Sequence, residues 1–192
     1  MGHKFDEKNM HKLDNPKRRE LLPPDEILKG IGLGPGMIMA DIGCGIGYFT
    51  LPAARLAGKE GKIIALDLSE EMLAVLKEKL ALENIDNVDV IKNEENKLPL
   101  EDNSVDIGFL CHVMHEAENR SVFLKEVKRI IKPGGKIVII EWEKKETESG
   151  PPLEHRISRE EMQKLLKEAG FRDISLTSIN GVFYLIQGKY DS

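Results

Sequence analysis

The chain has 192 residues, 41% of them hydrophobic and 32% charged, with a formal net charge of −5. That length holds one substantial core; no apolar run approaches the ~20 residues of a bilayer span, and no signal-peptide pattern opens the chain. Two cysteines, Cys44 and Cys111, exclude a disulfide framework and imply a reducing cytoplasm, while the acidic balance argues against a general nucleic-acid footprint.

The first 32 residues lack strand–helix alternation and are read as a helical or irregular cover around Pro23-Pro24. Their basic stretch, Lys12–Arg19, reads as a solvated face, and His3, Lys4 and Phe5 are candidates for a lid. From residue 33 onward strand-like and helix-like segments alternate, the pattern of an α/β sheet with crossover helices. Met37–Asp41 is the first strand, Gly47–Ala57 its helix, and Lys62–Leu68 the second strand. Ser69 is an N-cap followed by Glu70 and Glu71, with Met72, Leu73, Leu76 and Leu80 at helical spacing behind it. Val88–Ile91 and Val105–Cys111 are the third and fourth strands. Ser121–Ile131 is a helix stopped by Pro133-Gly134-Gly135, and Lys136–Glu141 the fifth strand. Trp142–Pro152 is polar and reads as an exposed loop. Ser158 and Glu161 form a capping box for a last helix that Gly170 closes. Asp173–Thr177 and Val182–Gln187 flank Asn180-Gly181, a hairpin signal that sets the last strand antiparallel. The expected architecture is therefore a doubly wound, mostly parallel sheet of seven strands with helices on both faces. One domain is expected over 1–192, with a cover at 1–32, a core at 33–141 and a closing part at 142–192.

The most informative run is Asp41-Ile-Gly43-Cys44-Gly45-Ile-Gly47-Tyr48, placed between the first strand and its helix. A dinucleotide fingerprint needs a third glycine where Tyr48 stands. An acid before the loop repels a phosphate but suits a ligand with an ammonium and a sulfonium, as S-adenosylmethionine has. Asp67 ends the second strand 24 residues after Gly43. A carboxylate there can accept both hydroxyls of a ribose, and Glu94-Glu95, after the third strand, lies where an adenine would follow.

Asp41-Ile-Gly-Cys-Gly-Ile-Gly47, Asp67, Glu94 ahead of Leu98-Pro99, Ser104-Val-Asp106 and Lys132-Pro-Gly-Gly135 together resemble a class I S-adenosylmethionine-dependent methyltransferase. The pattern is most similar to the Rossmann-like group that includes ubiquinone/menaquinone-biosynthesis methyltransferases, and it covers about residues 33–141. Glu94 stands where many relatives have Asp. The resemblance implies S-adenosylmethionine as cofactor and S-adenosylhomocysteine as product. It implies that Asp41 and the glycine loop hold the methionine part, Asp67 the ribose, and Glu94, Glu95 and Leu68 or Met72 the adenine. Cys44, Tyr48, Phe49 and Cys111 complete the expected cofactor set.

The acceptor is expected between the ends of the fourth and fifth strands. There His112, His115 and Glu116 are candidate bases, since a histidine titrates near neutrality. His112-x-x-His115-Glu116 matches no metal motif and lacks a third ligand, so no metal is expected. Trp142, His155 and Arg156 are the candidate acceptor contacts, Arg156 as a clamp on a carboxylate or phosphate. A small-molecule acceptor is expected. A methyltransferase of protein or tRNA, a non-catalytic cofactor-binding protein and an NAD enzyme are the rivals.

Overall fold

The computed structural model describes residues 13–147 and 150–191; His3, Lys4 and Phe5 lie outside them. Two short helices open the described chain, α1 (Pro16–Leu21) and α2 (Pro24–Gly30). Seven strands follow: β1 (Ile38–Ile42), β2 (Lys62–Asp67), β3 (Val88–Lys92), β4 (Val105–Cys111), β5 (Ile131–Trp142), β6 (Arg172–Ile179) and β7 (Phe183–Lys189). They are interleaved with α3 (Thr50–Ala57), α4 (Glu70–Leu82), α5 (Arg120–Ile130) and α6 (Arg159–Glu168). The sheet order is β3-β2-β1-β4-β5-β7-β6. Strands β1 to β5 pair in parallel, and β7 runs antiparallel between β5 and β6. This is a Rossmann-like, doubly wound sheet with a reversed seventh strand, as expected. Strand order reverses between β1 and β4, so a crevice opens beyond their carboxyl ends.

Side-chain alternation along the strands assigns the two faces. Ile137 and Ile139 of β5 pack with Leu124 and Val127 of α5 and Met162 and Leu166 of α6. Val138 and Ile140 face the other way, into a cluster with Leu28 of α2 and Ala53 and Ala57 of α3. Leu73, Leu76 and Leu80 of α4 extend that second layer over Ala65 of β2.

Three boundaries differ from the sequence reading, each for a local reason. The helix expected from Gly47 begins at Thr50, because Gly43, Gly45 and Gly47 all take positive φ and belong to the turn. Pro133-Gly134-Gly135 does not precede β5 but interrupts it. The ladder with β4 jumps from Val105–Ile131 to Ile107–Lys136, and Gly134 and Gly135 tie instead to Tyr190. Glu161 does not complete the capping box: Ser158 accepts its N–H at 3.1 Å, but its carboxylate pairs with Arg120 at 2.7 Å. The hairpin behaves as read. Asn180 and Gly181 both have positive φ, and the Val182 N–H donates to Ile179, which is a type I′ turn.

Candidate active site

A cavity of about 940 Å³ lies beyond the carboxyl ends of β1, β2 and β4. At one end it is lined by the glycine turn (Gly43, Cys44, Gly45, Tyr48) and by Asp67, Leu68 and Met72. The turn is glycine-rich for packing as well as access. A Cβ on Gly43 would collide with Val113, and one on Gly47 with Leu51 and Leu76. Asp67 closes the turn: one carboxylate oxygen accepts the Gly45 N–H at 2.8 Å and the other the Ser69 N–H at 2.9 Å. The acid is thus both a turn-forming acceptor and a wall of the cavity. A glycine-rich turn beside a carboxylate, an apolar Met72 and a Leu68 fits a nucleoside carrying an amino-acid arm.

Some members of the expected cofactor set lie elsewhere. Asp41 does not aim at the turn. It is 3% exposed, accepts the Thr50 hydroxyl at 2.6 Å beneath the loop, and is absent from the cavity wall. Burial pushes its carboxyl up to about 7, against the lowering effect of the Thr50 hydrogen bond. Phe49 packs in the core against Phe109, 4.8 Å between ring centres. Glu94 bridges back to Lys97, and its neighbours Asn93 and Glu95 face the cavity instead. Cys111 lines the cavity, its thiol pushed up to about 12 chiefly by burial; Cys44 is raised for the same reason.

The other end of the cavity gathers His112, Val113, His115, Glu116, Trp142, Phe183 and the loop Gly150-Pro151-Pro152. The three candidate bases are not equivalent. His112 sits in the left-handed region at φ +61, a sparsely populated conformation for a side-chain-bearing residue. Its ring lies against Trp142 at 5.2 Å and Phe183 at 5.0 Å. Burial, with the Arg18 charge and His115 adding to it, holds its pKa well below the ordinary histidine value. A ring so reluctant to take a proton is an aromatic wall and a poor base.

His115 is held differently. Its Nδ1 lies 2.9 Å and 3.1 Å from the two carboxylate oxygens of Glu141, one of which, Oε1, also accepts its backbone N–H at 3.2 Å. Glu141 is 1% exposed and His115 8%. Burial opposes charge on the ring, but the Glu141 carboxylate overrides it and raises the pKa above the ordinary value. With Nδ1–H on the carboxylate, Nε2 is left as the basic nitrogen, and Glu116 stands 3.9 Å from it. The sequence reading did not single out Glu141. Its signal was an acid ending the apolar run Ile137–Ile140, a position where a charge is buried only with a partner.

Arg156 is not an acceptor clamp. It is 4% exposed and donates to the carbonyls of Pro151, Glu143 and Lys145 and to the Thr147 hydroxyl, with its guanidinium 5.1 Å from the Trp142 ring. It therefore folds the loop read as exposed so that Gly150–Pro152 face the cavity. His155 falls in a 3₁₀ turn, Leu153–His155, off the cavity wall. Among the described residues no group of three His, Cys, Asp or Glu could hold a metal, and no helix is long and apolar enough to cross a membrane.

A family model described as a methyltransferase domain matches residues 40–139. Demethylmenaquinone methyltransferase of Staphylococcus aureus (strain MRSA252) is 36% identical over 115 residues, 60% of this chain and 47% of that protein. The chain thus spans about half the length of the curated relatives it matches. The crystal structure of a SAM-dependent methyltransferase from Aquifex aeolicus superposes with a TM-score of 0.91 at 38% identity, over 96% of this chain and 98% of that one. Phosphoethanolamine N-methyltransferase 2 of Haemonchus contortus, in complex with S-adenosyl-L-methionine, gives a TM-score of 0.72 at 19% identity over 87% and 52% of the two chains. That last likeness is one of fold.

Proposed function

Because this chain belongs to the methyltransferase-domain family and is an S-adenosylmethionine-dependent methyltransferase, we propose that it methylates a small aromatic acceptor with His115 as its base. The buried Glu141–His115 pair, whose histidine lines the cavity, carries this reading. The cofactor supplies an electrophilic methyl on a sulfonium. Gly43, Cys44, Gly45 and Tyr48 border its methionine part, Asp67 its ribose, and Leu68, Met72, Asn93 and Glu95 its adenine. Trp142, Phe183 and His112 offer ring faces to a planar acceptor. His115 takes the acceptor's proton on Nε2, while Glu141 holds the tautomer and steadies the imidazolium that forms. Helix α1 and the Arg156-held loop exclude water, and alignment at ~3 Å supplies much of the acceleration.

The relatives named demethylmenaquinone methyltransferase make a quinol the first acceptor to try. The test incubates the protein with methyl-labelled S-adenosylmethionine, a reduced short-chain demethylmenaquinone, bulk protein and tRNA. Label in the quinol fraction is expected. Label confined to protein or tRNA would sink the small-molecule reading.

A further inference from the structure

Lys12–Arg19 reads as a solvated basic face, yet Arg18 departs from it. Its Nε is buried and has no hydrogen-bond partner among the described residues. The guanidinium lies 4.6 Å from the centre of the Tyr48 ring and reaches the Cys111 thiol, and its charge is felt at His112. Tyr48 is fixed from the same segment, its hydroxyl donating to the Leu22 carbonyl at 2.7 Å. Five residues before Arg18 and ahead of α1, Leu13 comes up against Gly45. The described part of the N-terminal cover, from Leu13 onward, is therefore seated on the glycine turn, with an arginine directed into the cavity.

A buried guanidinium nitrogen without a partner is costly, and an anion is what it lacks. Position selects which anion. The nucleoside side of the cavity is walled by Asp67, Ser69, Met72, Asn93 and Glu95, while Arg18 lies over Tyr48 at the opposite end of the turn. The carboxylate of the cofactor's amino-acid arm is the anion carried farthest from the nucleoside. We propose that Arg18 is the residue that binds this carboxylate, so that the cofactor itself fastens α1 over the site. This assignment rests on the cofactor lying in the cavity as argued above. Lys17, although it also lines the cavity, is exposed and serves as the charge control.

The test is calorimetric titration of the full chain with S-adenosylmethionine and with its decarboxylated analogue, which keeps the adenosine, sulfonium and ammonium. Wild type should bind the carboxylated ligand ~10–100-fold more tightly, the range of a charged hydrogen bond. In Arg18→Gln that preference should vanish through loss of the carboxylated ligand alone, with Lys17→Gln unchanged and Arg18→Lys recovering part of it. Equal affinity of wild type for the two ligands would overturn the assignment without any variant. So would Arg18→Gln weakening both ligands alike, or weakening neither and raising the acceptor KM instead, which would make the anion the acceptor's. Failure of wild type to bind either ligand would overturn the placement of the cofactor itself, and the assignment with it.

Discussion

The two ends of the cavity are built on different principles. The end proposed for the cofactor is a short continuous turn: Gly43 to Tyr48 follow one another, and Asp67 joins them through the Gly45 N–H across one strand pairing. The acceptor end is assembled from distant parts of the chain. His115 and Glu141 are 26 residues apart, Phe183 comes from β7, and Pro151 is folded in by Arg156. A site written in consecutive residues rests on backbone conformation, whereas one gathered from distant segments depends on the whole sheet being in register.

The largest effect that would break this division belongs to His115. His115→Ala should cut turnover ~100-fold or more, the usual weight of a general base, and leave S-adenosylmethionine affinity within a few-fold. Isothermal titration beside a methyl-transfer assay separates the two, and equal losses would make His115 a support of the loop. Asp67→Ala should do the reverse. Losing a charged acceptor should weaken cofactor binding by ~1–3 kcal/mol, with a lower Tm because the Gly45 and Ser69 N–H groups lose their partner. Unchanged cofactor affinity would remove Asp67 from the ribose.

These contrasts track what could be read beforehand. The α/β alternation, the I′ turn at Asn180-Gly181 and the glycine turn with Asp67 are local patterns, and local chemistry specifies them. Asp41 was misread for a physical reason. Its place before the turn is visible in sequence, but strand alternation and the Thr50 hydroxyl decide where the side chain points, and it points under the loop. Arg156 and Arg18 exchanged expectations in the same way. The arginine beside the predicted acceptor loop is consumed by that loop's carbonyls, while one from a basic surface run turns inward. Glu141 was legible only as an acid ending an apolar strand, because its partner arrives from the end of the neighbouring strand.

Asp41 gives a smaller and pH-dependent contrast. Its carboxyl, raised to about 7 in the fold from an ordinary 3.8, binds a proton more tightly folded than unfolded. Stability therefore falls as pH climbs from about 4 to about 7 and stays reduced above that. Asp41→Asn should match wild type near pH 4 and exceed it by about 4 kcal/mol at pH 8, read by denaturant melts at both values. A variant less stable at pH 8 would mean that the ionised acid is needed beneath the loop. The smallest effect concerns the thiols. With Cys44 and Cys111 both raised by burial, neither should react with iodoacetamide at pH 8 in the folded protein. Rapid labelling of either would place a thiolate in the site.

That Glu141 arms His115 is tested most directly by the pH dependence of methyl transfer to whichever acceptor the labelling test identifies, wild type against Glu141→Gln, with cofactor saturating. Glu141 raises the His115 pKa, and the base works deprotonated. The wild-type acid limb should therefore lie above the ordinary histidine value and move to lower pH in Glu141→Gln while the plateau rate falls. Superimposable limbs at an equal plateau would contradict it.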